Sequence, residues 1–95
     1  TPTSDRHHAF QFCELWMKRQ TLQPAEWIVV DDGREPALCT LGQIHMRRIP
    51  SPTVRESFLG NLREGLAAAQ GDVILIIEDD DWYRPDYVAW MNSLL

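Results

Sequence analysis

The stretch that decides the fold is Val73-Ile74-Leu75-Ile76-Ile77-Glu78-Asp79-Asp80-Asp81, in which five apolar residues run directly into four acidic ones. A short, continuous apolar run predicts a strand that is buried on both faces of a parallel sheet. Trp27-Ile28-Val29-Val30 has the same character and also ends in carboxylates, Asp31 and Asp32. Two predicted strands that end in acids are therefore the starting point for both fold and function.

A first helix is predicted over roughly residues 6–20. Ser4 and Asp5 are good N-cap residues, because their side-chain oxygens accept hydrogen bonds from amides that the first helical turn leaves unpaired. Apolar side chains then recur at helical spacing, and Phe12 and Cys13 fall on the predicted buried face.

The remaining elements complete an alternation of strands and helices. Residues 44–49 predict an edge strand, residues 53–70 predict an amphipathic helix, and Pro85 suits the first turn of a last helix. The order helix, strand, strand, helix, strand, helix implies right-handed crossovers and a mostly parallel sheet with flanking helices. We therefore expect an α/β, Rossmann-like fold, and 95 residues make one domain at most.

Composition and charge exclude several classes of function. A formal net charge of −5 argues against a general nucleic-acid binder, which needs a basic face. The chain is 44% apolar and 24% charged, which is typical of a globular domain. No apolar run approaches the roughly 20 residues of a membrane helix, so no membrane span is expected. Two cysteines make no disulfide framework and no targeting segment is visible, which favours a cytoplasmic location.

The acidic strand ends predict a cation site. Ligands of open α/β sheets bind beyond the carboxyl ends of the strands, so Asp31 and Asp32 are expected to share a crevice with residues 78–81. Clustered carboxylates repel one another unless a cation, hydrogen-bond donors or open water surround them. Mg²⁺ and Mn²⁺ take oxygen ligands and complete their shell with water and phosphate. Asp31 and Asp32 alone are also typical of a solvated turn, whereas four acids after a buried strand favour function.

Other domains also place acids at strand ends. A receiver-like phosphoacceptor domain needs a further Asp and a Lys on later strands, and only fifteen residues follow Asp80. A nucleotidyltransferase would have a glycine-rich phosphate loop, and residues 3–6 contain no glycine. A calcium loop counted from Asp79 would have glycine where Arg84 stands. A non-catalytic interaction module on the same frame stays open.

Four segments resemble the family 2 glycosyltransferases with the GT-A fold, in the same order and at fitting spacing. They are residues 1–6 (similar to P-T-Y-N-R), 20–33 (similar to Q-T followed by E-x-I-V-V-D-D-G), 67–72 (similar to A-x-G-D/E) and 78–86 (similar to D-x-D-D-W-x-x-P-D, the DxD-type motif). Each motif is short, but the set covers nearly the whole chain. The resemblance implies that residues 1–95 are a single partial domain, the nucleotide-sugar-binding half of a GT-A enzyme.

The resemblance also implies which residues bind the nucleotide. Pro2 and Thr3 would line the base and the ribose. Asp32 would accept a hydrogen bond from the base, and Asp31 would support the turn. Arg63 is a candidate phosphate contact.

The acidic cluster is implied to hold the metal, Mn²⁺ or Mg²⁺. Asp79 would lie near the ribose and diphosphate, and Asp80 would be the principal metal ligand. Glu78 and Asp81 take the first and last acidic places of the motif and are the further metal ligands. Glu78 stands where the family more often has Asp, which lengthens one arm of the site.

The implied reaction is transfer of a sugar from a nucleoside diphosphate, a UDP-sugar as first expectation, to an acceptor saccharide or other hydroxyl. The catalytic base of such an enzyme is expected beyond Leu95, and most of the first strand before Thr1, so residues 1–95 are expected to be inactive alone. Tyr87 and Trp90 fall on a second face of the last predicted helix. Exposed aromatic side chains there predict a homo-oligomer.

Overall fold

The computed structural model describes residues 1–95. Along the chain follow β1 (Pro2–Thr3), α1 (His7–Lys18), β2 (Ile28–Asp31), β3 (Ile44–Arg47), α2 (Val54–Ala68) and α3 (Tyr87–Ser93). The strands form one parallel sheet in the order β1-β2-β3. The predicted α/β class, with a parallel sheet and flanking helices, is confirmed.

The sheet aligns the carboxyl ends of its strands at one edge. Thr3 of β1 pairs with Asp31 of β2, and Asp31 pairs in turn with Arg47 of β3. The amide of Asp32 donates to the carbonyl of Thr3 at 3.3 Å. Val29, in the middle of β2, is fully buried, as expected for the central strand of a parallel sheet. This register places the polar ends of β1 and β2 side by side.

The first helix packs with a face that differs from the predicted one. α1 buries Phe10, Cys13 and Met17, whereas Phe12 is 57% exposed. The buried face also includes Glu14, whose carboxylate accepts hydrogen bonds from the loop before β3. The observed face therefore includes a buried polar contact, which hydrophobic periodicity does not register.

The prediction that Ser4 or Asp5 caps the first helix is wrong. Arg6 occupies the N-cap position, and no side chain accepts a hydrogen bond there. Asp5 has a φ of 51°, a left-handed conformation that Asp tolerates better than most residues. Its carboxylate accepts hydrogen bonds from the amides of Arg34 at 3.0 Å and Glu35 at 3.1 Å. The carboxylate holds the loop after β2 instead of capping the helix.

The second helix begins with a capping arrangement that its sequence encodes. Thr53 Oγ1 accepts a hydrogen bond from the amide of Glu56 at 3.1 Å, and Glu56 lies in the first turn, where a carboxylate suits the helix dipole. α2 spans Val54–Ala68, which confirms the predicted helix to within two residues at each end. No helix in this structure has both the length and the apolar surface that a bilayer crossing demands.

Two small buried clusters form the core. One joins α1 to the segment around the acidic residues and α3, and the other joins α1 to β2. The first contains Cys13, Met17, Ile77, Tyr83 and Val88, and the second contains Phe10, Val29 and Ala37. Trp27 packs against both clusters and connects them.

The prediction of a strand over residues 73–77 is wrong. No strand is present there, and Val73, Ile74 and Ile76 are each about half exposed, at 51%, 47% and 47%. A strand exists only as part of a hydrogen-bonded ladder. Residues 73–77 form no ladder with the sheet, which contains β1, β2 and β3.

An apolar groove of about 290 Å³ lies beside this segment. Its walls come from β2, from the inner face of α2 and from residues 73–77, and include Ile28, Leu62, Leu66 and Ile74. The predicted apolar stripe of α2 thus faces a groove that stays open along part of its length. Only Asn61 of this helix is fully buried.

Candidate functional site at the strand ends

A polar pocket of about 480 Å³ opens at the carboxyl ends of β1 and β2. Hydroxyl and carboxylate groups dominate its wall, in contrast to the apolar groove. The wall includes Thr3, Ser4, Arg6, Ser57, Asp79 and Asp80. A pocket of this size and character suits a small, polar, charged ligand.

Asp31 is buried at this edge of the sheet, and its carboxylate binds several neighbouring groups. Its carboxylate accepts hydrogen bonds from the amides of Gly33 at 2.9 Å and Ala37 at 2.8 Å. His45 Nε2 lies 3.0 Å and Arg47 Nη1 2.9 Å from the same carboxylate. Burial raises the pKa of Asp31, but these hydrogen bonds outweigh burial and leave the pKa below its usual value. Asp31 therefore fixes the loop that follows β2.

Asp32 is bound by side chains from α2. Asp32 Oδ1 accepts hydrogen bonds from Ser57 Oγ at 2.7 Å and from Asn61 Nδ2 at 3.2 Å. Asn61 Nδ2 also donates to the carbonyl of Thr3 at 3.2 Å, and Asn61 Oδ1 accepts from Arg48 Nη1 at 2.8 Å. One amide side chain thus joins β1, the end of β2 and the segment after β3.

The second oxygen of Asp32 has no hydrogen-bond partner, although Asp32 is only 1% exposed. Burial raises the pKa of Asp32, but Ser51, Ser57, Ser4 and Asn61 outweigh burial and lower the pKa to about 2. Ser51 and Ser4 are near enough to lower the pKa, yet neither meets Oδ2 with hydrogen-bonding geometry. An ionised, buried acceptor without a hydrogen-bond partner is costly, so the protein itself leaves the charge on Asp32 Oδ2 only partly compensated.

Asp79 connects the acidic segment to β1. Thr3 Oγ1 donates to Asp79 Oδ2 at 2.8 Å, and Arg6 Nη1 lies 3.3 Å from Asp79 Oδ1. Burial raises the pKa of Asp79 above its usual value despite these two favourable partners. The residue is therefore the buried anchor of the acidic segment at the pocket.

The other three acids form an exposed cluster. One carboxylate oxygen from each of Glu78, Asp80 and Asp81 lies within 4.8 Å of the others. Contact with the Asp81 carboxyl, then burial, then the charges of Asp81, Asp80 and Asp79 raise the pKa of Glu78. Three oxygen ligands at this spacing fit a hard divalent cation, which would offset the repulsion among them.

The side chains of Tyr83 and Gln20 hold the acidic segment and the residues that follow it in place. The amide of Glu78 donates to Tyr83 Oη at 2.8 Å. Gln20 Nε2 donates to the carbonyl of Arg84 at 2.7 Å, and Gln20 Oε1 accepts from the amide of Val88 at 3.0 Å. Gln20 therefore fastens the end of α1 to the chain that follows the acids, a role that the sequence did not suggest.

The structure brings most of the predicted site residues together and separates one. Pro2, Thr3, Glu78, Asp79 and Asp80 all line the polar pocket, with Asp32 directly behind its serine wall. Asp31 lies beneath the neighbouring loop, and Asp81 belongs to the carboxylate cluster. Arg63 is exposed on α2 and does not line the pocket.

Sequence reasoning missed Asn61, Ser57, Ser51 and Arg6. Ser57 and Asn61 stand four residues apart and therefore share one face of α2. A polar pair on an otherwise apolar helical face was the signal that could have revealed them. Nothing local marked Ser51 or Arg6, because their partners come from distant parts of the chain.

Comparison with known proteins identifies the family. The family model for Glycosyl transferase family 2 matches residues 13–91, which span the second half of α1, β2, β3, α2, the acidic segment and most of α3. The chain belongs to glycosyltransferase family 2. This confirms the predicted family, with three of the four motifs inside the matched residues, and it replaces the receiver-like and nucleotidyltransferase alternatives. The parallel α/β fold of this family 2 domain agrees with a Rossmann-like GT-A fragment.

A curated relative supports the same assignment. The chain is 32% identical over 83 residues to a protein of Bacillus subtilis (strain 168) named "Putative glycosyltransferase EpsH". The match covers 83% of this chain but 24% of that protein, so the chain spans about a quarter of the length of this relative. No solved structure gives a significant match to the chain.

Proposed function

We propose that this family 2 domain binds a nucleoside-diphosphate sugar in the polar pocket, with a divalent cation at the acidic cluster. The intact enzyme would transfer the sugar to an acceptor saccharide or other hydroxyl. The observation that carries the proposal is the buried, unpartnered Oδ2 of Asp32 behind the pocket wall.

A ligand would reach Asp32 Oδ2 only when the serine wall that covers it opens, and the ionised oxygen would then select ligands that bring an N–H group. Uracil and guanine bring a ring N–H at the centre of their pairing edge, whereas cytosine and adenine have an acceptor nitrogen there and bring an N–H only from the amino group at one end of that edge. A site built around a buried polar group discriminates strongly against a ligand that leaves that group unpaired. We therefore propose a uridine diphosphate sugar as the first candidate donor and a guanosine diphosphate sugar as the second.

The remaining pocket residues suit the rest of such a donor. Thr3 Oγ1 donates to Asp79, which fixes the pocket floor where a ribose would lie, and Pro2 adds an apolar surface. The pocket also reaches Thr53 and Val54 at the start of α2, where unpaired amides and the helix dipole favour phosphate.

Metal use is part of the proposal, because Glu78, Asp80 and Asp81 present a donor set of hard oxygens at close spacing. When bound there, Mn²⁺ or Mg²⁺ supplies Lewis-acid stabilisation of the charge that builds up on the departing nucleoside diphosphate. The protein's own part is to orient the diphosphate and to hold the three carboxylates against their mutual repulsion. The catalytic base is proposed to lie beyond Leu95, and a cytoplasmic location and a homo-oligomer stay predictions.

Calorimetric titration of UDP into the intact protein, with and without Mn²⁺, tests the proposal. Asp80→Asn should abolish the metal-dependent part of binding. Asp32→Asn should weaken binding by about tenfold or more, because an amide hydrogen would then face the N–H group of the base. Asp72→Asn is the matched control, since Asp72 is exposed, makes the same change in charge and does not line the pocket.

A panel of UDP, GDP, CDP and ADP then tests the base preference. The proposal expects the first two to bind better than the last two in the wild type and the difference to shrink in Asp32→Asn. Equal binding of all four nucleotides would remove the role given to Asp32. A folded protein that binds none of them with Mn²⁺ would leave the non-catalytic interaction module as the better reading.

A further inference from the structure

Arg6 is the one cationic side chain that reaches the acidic segment. Its Nη1 lies 3.3 Å from Asp79 Oδ1 and 3.1 Å from Asp80 Oδ2, so one nitrogen bridges two carboxylates. The side chain of Arg6 is 47% exposed and lines the polar pocket. About half of the Arg6 side chain is therefore accessible to a ligand in the pocket.

Asp80 has two possible cationic partners, the Arg6 guanidinium and a divalent cation. It accepts the hydrogen bond from Arg6, and it is also a member of the carboxylate cluster with Glu78 and Asp81. A divalent cation at that cluster and the Arg6 guanidinium would repel each other across a few ångströms. Asp79 differs, because it is buried and keeps its bond from Thr3 whichever cation is present.

We propose that Arg6 is an exchangeable counter-ion of the acidic segment and a positioning residue for the diphosphate. In the ligand-free protein it neutralises Asp79 and Asp80. When a metal–diphosphate complex occupies the pocket, the guanidinium releases Asp80, stays near Asp79 and donates to a phosphate oxygen. Its planar fork of donors suits phosphate better than an ammonium group does. This inference rests on the proposed donor and metal site.

Mn²⁺ alone is the first probe, titrated into the intact protein and followed by the electron paramagnetic resonance signal of free Mn²⁺. Arg6→Gln removes the competing charge, so its Mn²⁺ affinity should rise about two- to fivefold, as expected for giving up a half-exposed ion pair. Arg84→Gln is the matched control, because Arg84 is also exposed and pairs with Asp86 rather than with the cluster. Arg6→Lys keeps the charge and should stay close to wild type.

The second probe is UDP at saturating Mn²⁺, compared with uridine, which lacks phosphate. Arg6→Gln should weaken UDP binding severalfold and leave uridine binding unchanged. The same substitution would then raise the affinity for Mn²⁺ and lower the affinity for the diphosphate. Circular dichroism confirms that each variant is folded before titration.

The outcomes separate the two proposals. If wild type and Arg6→Gln bind Mn²⁺ equally well, Arg6 is no competitor and this inference is wrong while the metal site stands. If wild type and Arg6→Gln also bind UDP with the same affinity, Arg6 does not position the diphosphate. If neither protein binds Mn²⁺, with or without UDP, both the metal site and the exchange of Arg6 are overturned.

Discussion

Replacing Asn61 with alanine tests whether the network behind the pocket stabilises the fold. Asn61 is 1% exposed and makes three side-chain hydrogen bonds, to Asp32, to the carbonyl of Thr3 and from Arg48. A neutral hydrogen bond contributes about 0.5–1.5 kcal/mol, and one to a charged group about 1.5–3 kcal/mol. Arg48 is only partly buried and can hydrogen-bond to water after the substitution, and Asp32 keeps its hydrogen bond from Ser57. The expected loss in the free energy of unfolding is therefore about 3 kcal/mol.

Urea unfolding followed by tryptophan fluorescence measures this loss. Asn61→Ala should lower the free energy of unfolding by about 3 kcal/mol at an unchanged m-value. Asn92→Ala makes the same chemical change at an exposed position of α3 and should stay within about 0.5 kcal/mol of wild type. A loss for Asn61→Ala that matches this control would refute the reasoning, since it would mean that the three bonds contribute nothing net.

Further predictions concern acid stability, loop geometry and the anchor of the acidic segment. The pKa of Asp32 is lowered to about 2 in the folded protein, so its contribution to stability, about 2 kcal/mol, is present above pH 4 and disappears as pH falls towards 2. Urea midpoints at pH 5 and pH 2.5 should therefore differ less in Asp32→Asn than in wild type. Gly33→Ala should lower Tm, because its Cβ would meet a backbone nitrogen at 2.6 Å, whereas Gly71→Ala, whose nearest contact is 3.5 Å, should be near neutral. Gln20→Leu removes the acceptor of the Val88 amide, and that amide should exchange its hydrogen at least about tenfold faster by NMR.

Local patterns predicted the parts of the fold that are stabilised locally. β2 was predicted from its β-branched run and α2 from its apolar periodicity, and both sets of bounds are close to those observed. Residues 73–77 show the limit of this reasoning, because an apolar run reports a tendency to be buried but not a partner strand. Asp5 shows the same limit at a helix end, since its carboxylate is taken by amides about 30 residues away.

The same difference between local patterns and long-range contacts applies to the candidate site. The acids were visible because they are consecutive in the sequence, and because two predicted strands end in them. Arg6 was invisible because its partner Asp79 lies 73 residues away, and the partner of Asn61 could not be foreseen because Asp32 lies 29 residues away. Only the register of the sheet, which brings Thr3 beside Asp31, reveals that these distant side chains meet.

The half-exposed apolar run has a consequence for handling the protein. Val73 to Ile77 combines β-branched residues with no charge and no proline, which is the composition of segments that aggregate through stacked strands. Asp72 precedes it and Glu78, Asp79 and Asp80 follow it, so acids flank the run at both ends like the gatekeepers of aggregation-prone strands. Each substitution that neutralises one of these acids therefore lowers colloidal stability as well as altering the pocket. Asp72→Asn shares that liability without touching the pocket, so its soluble fraction is the baseline against which every acidic-segment variant is judged.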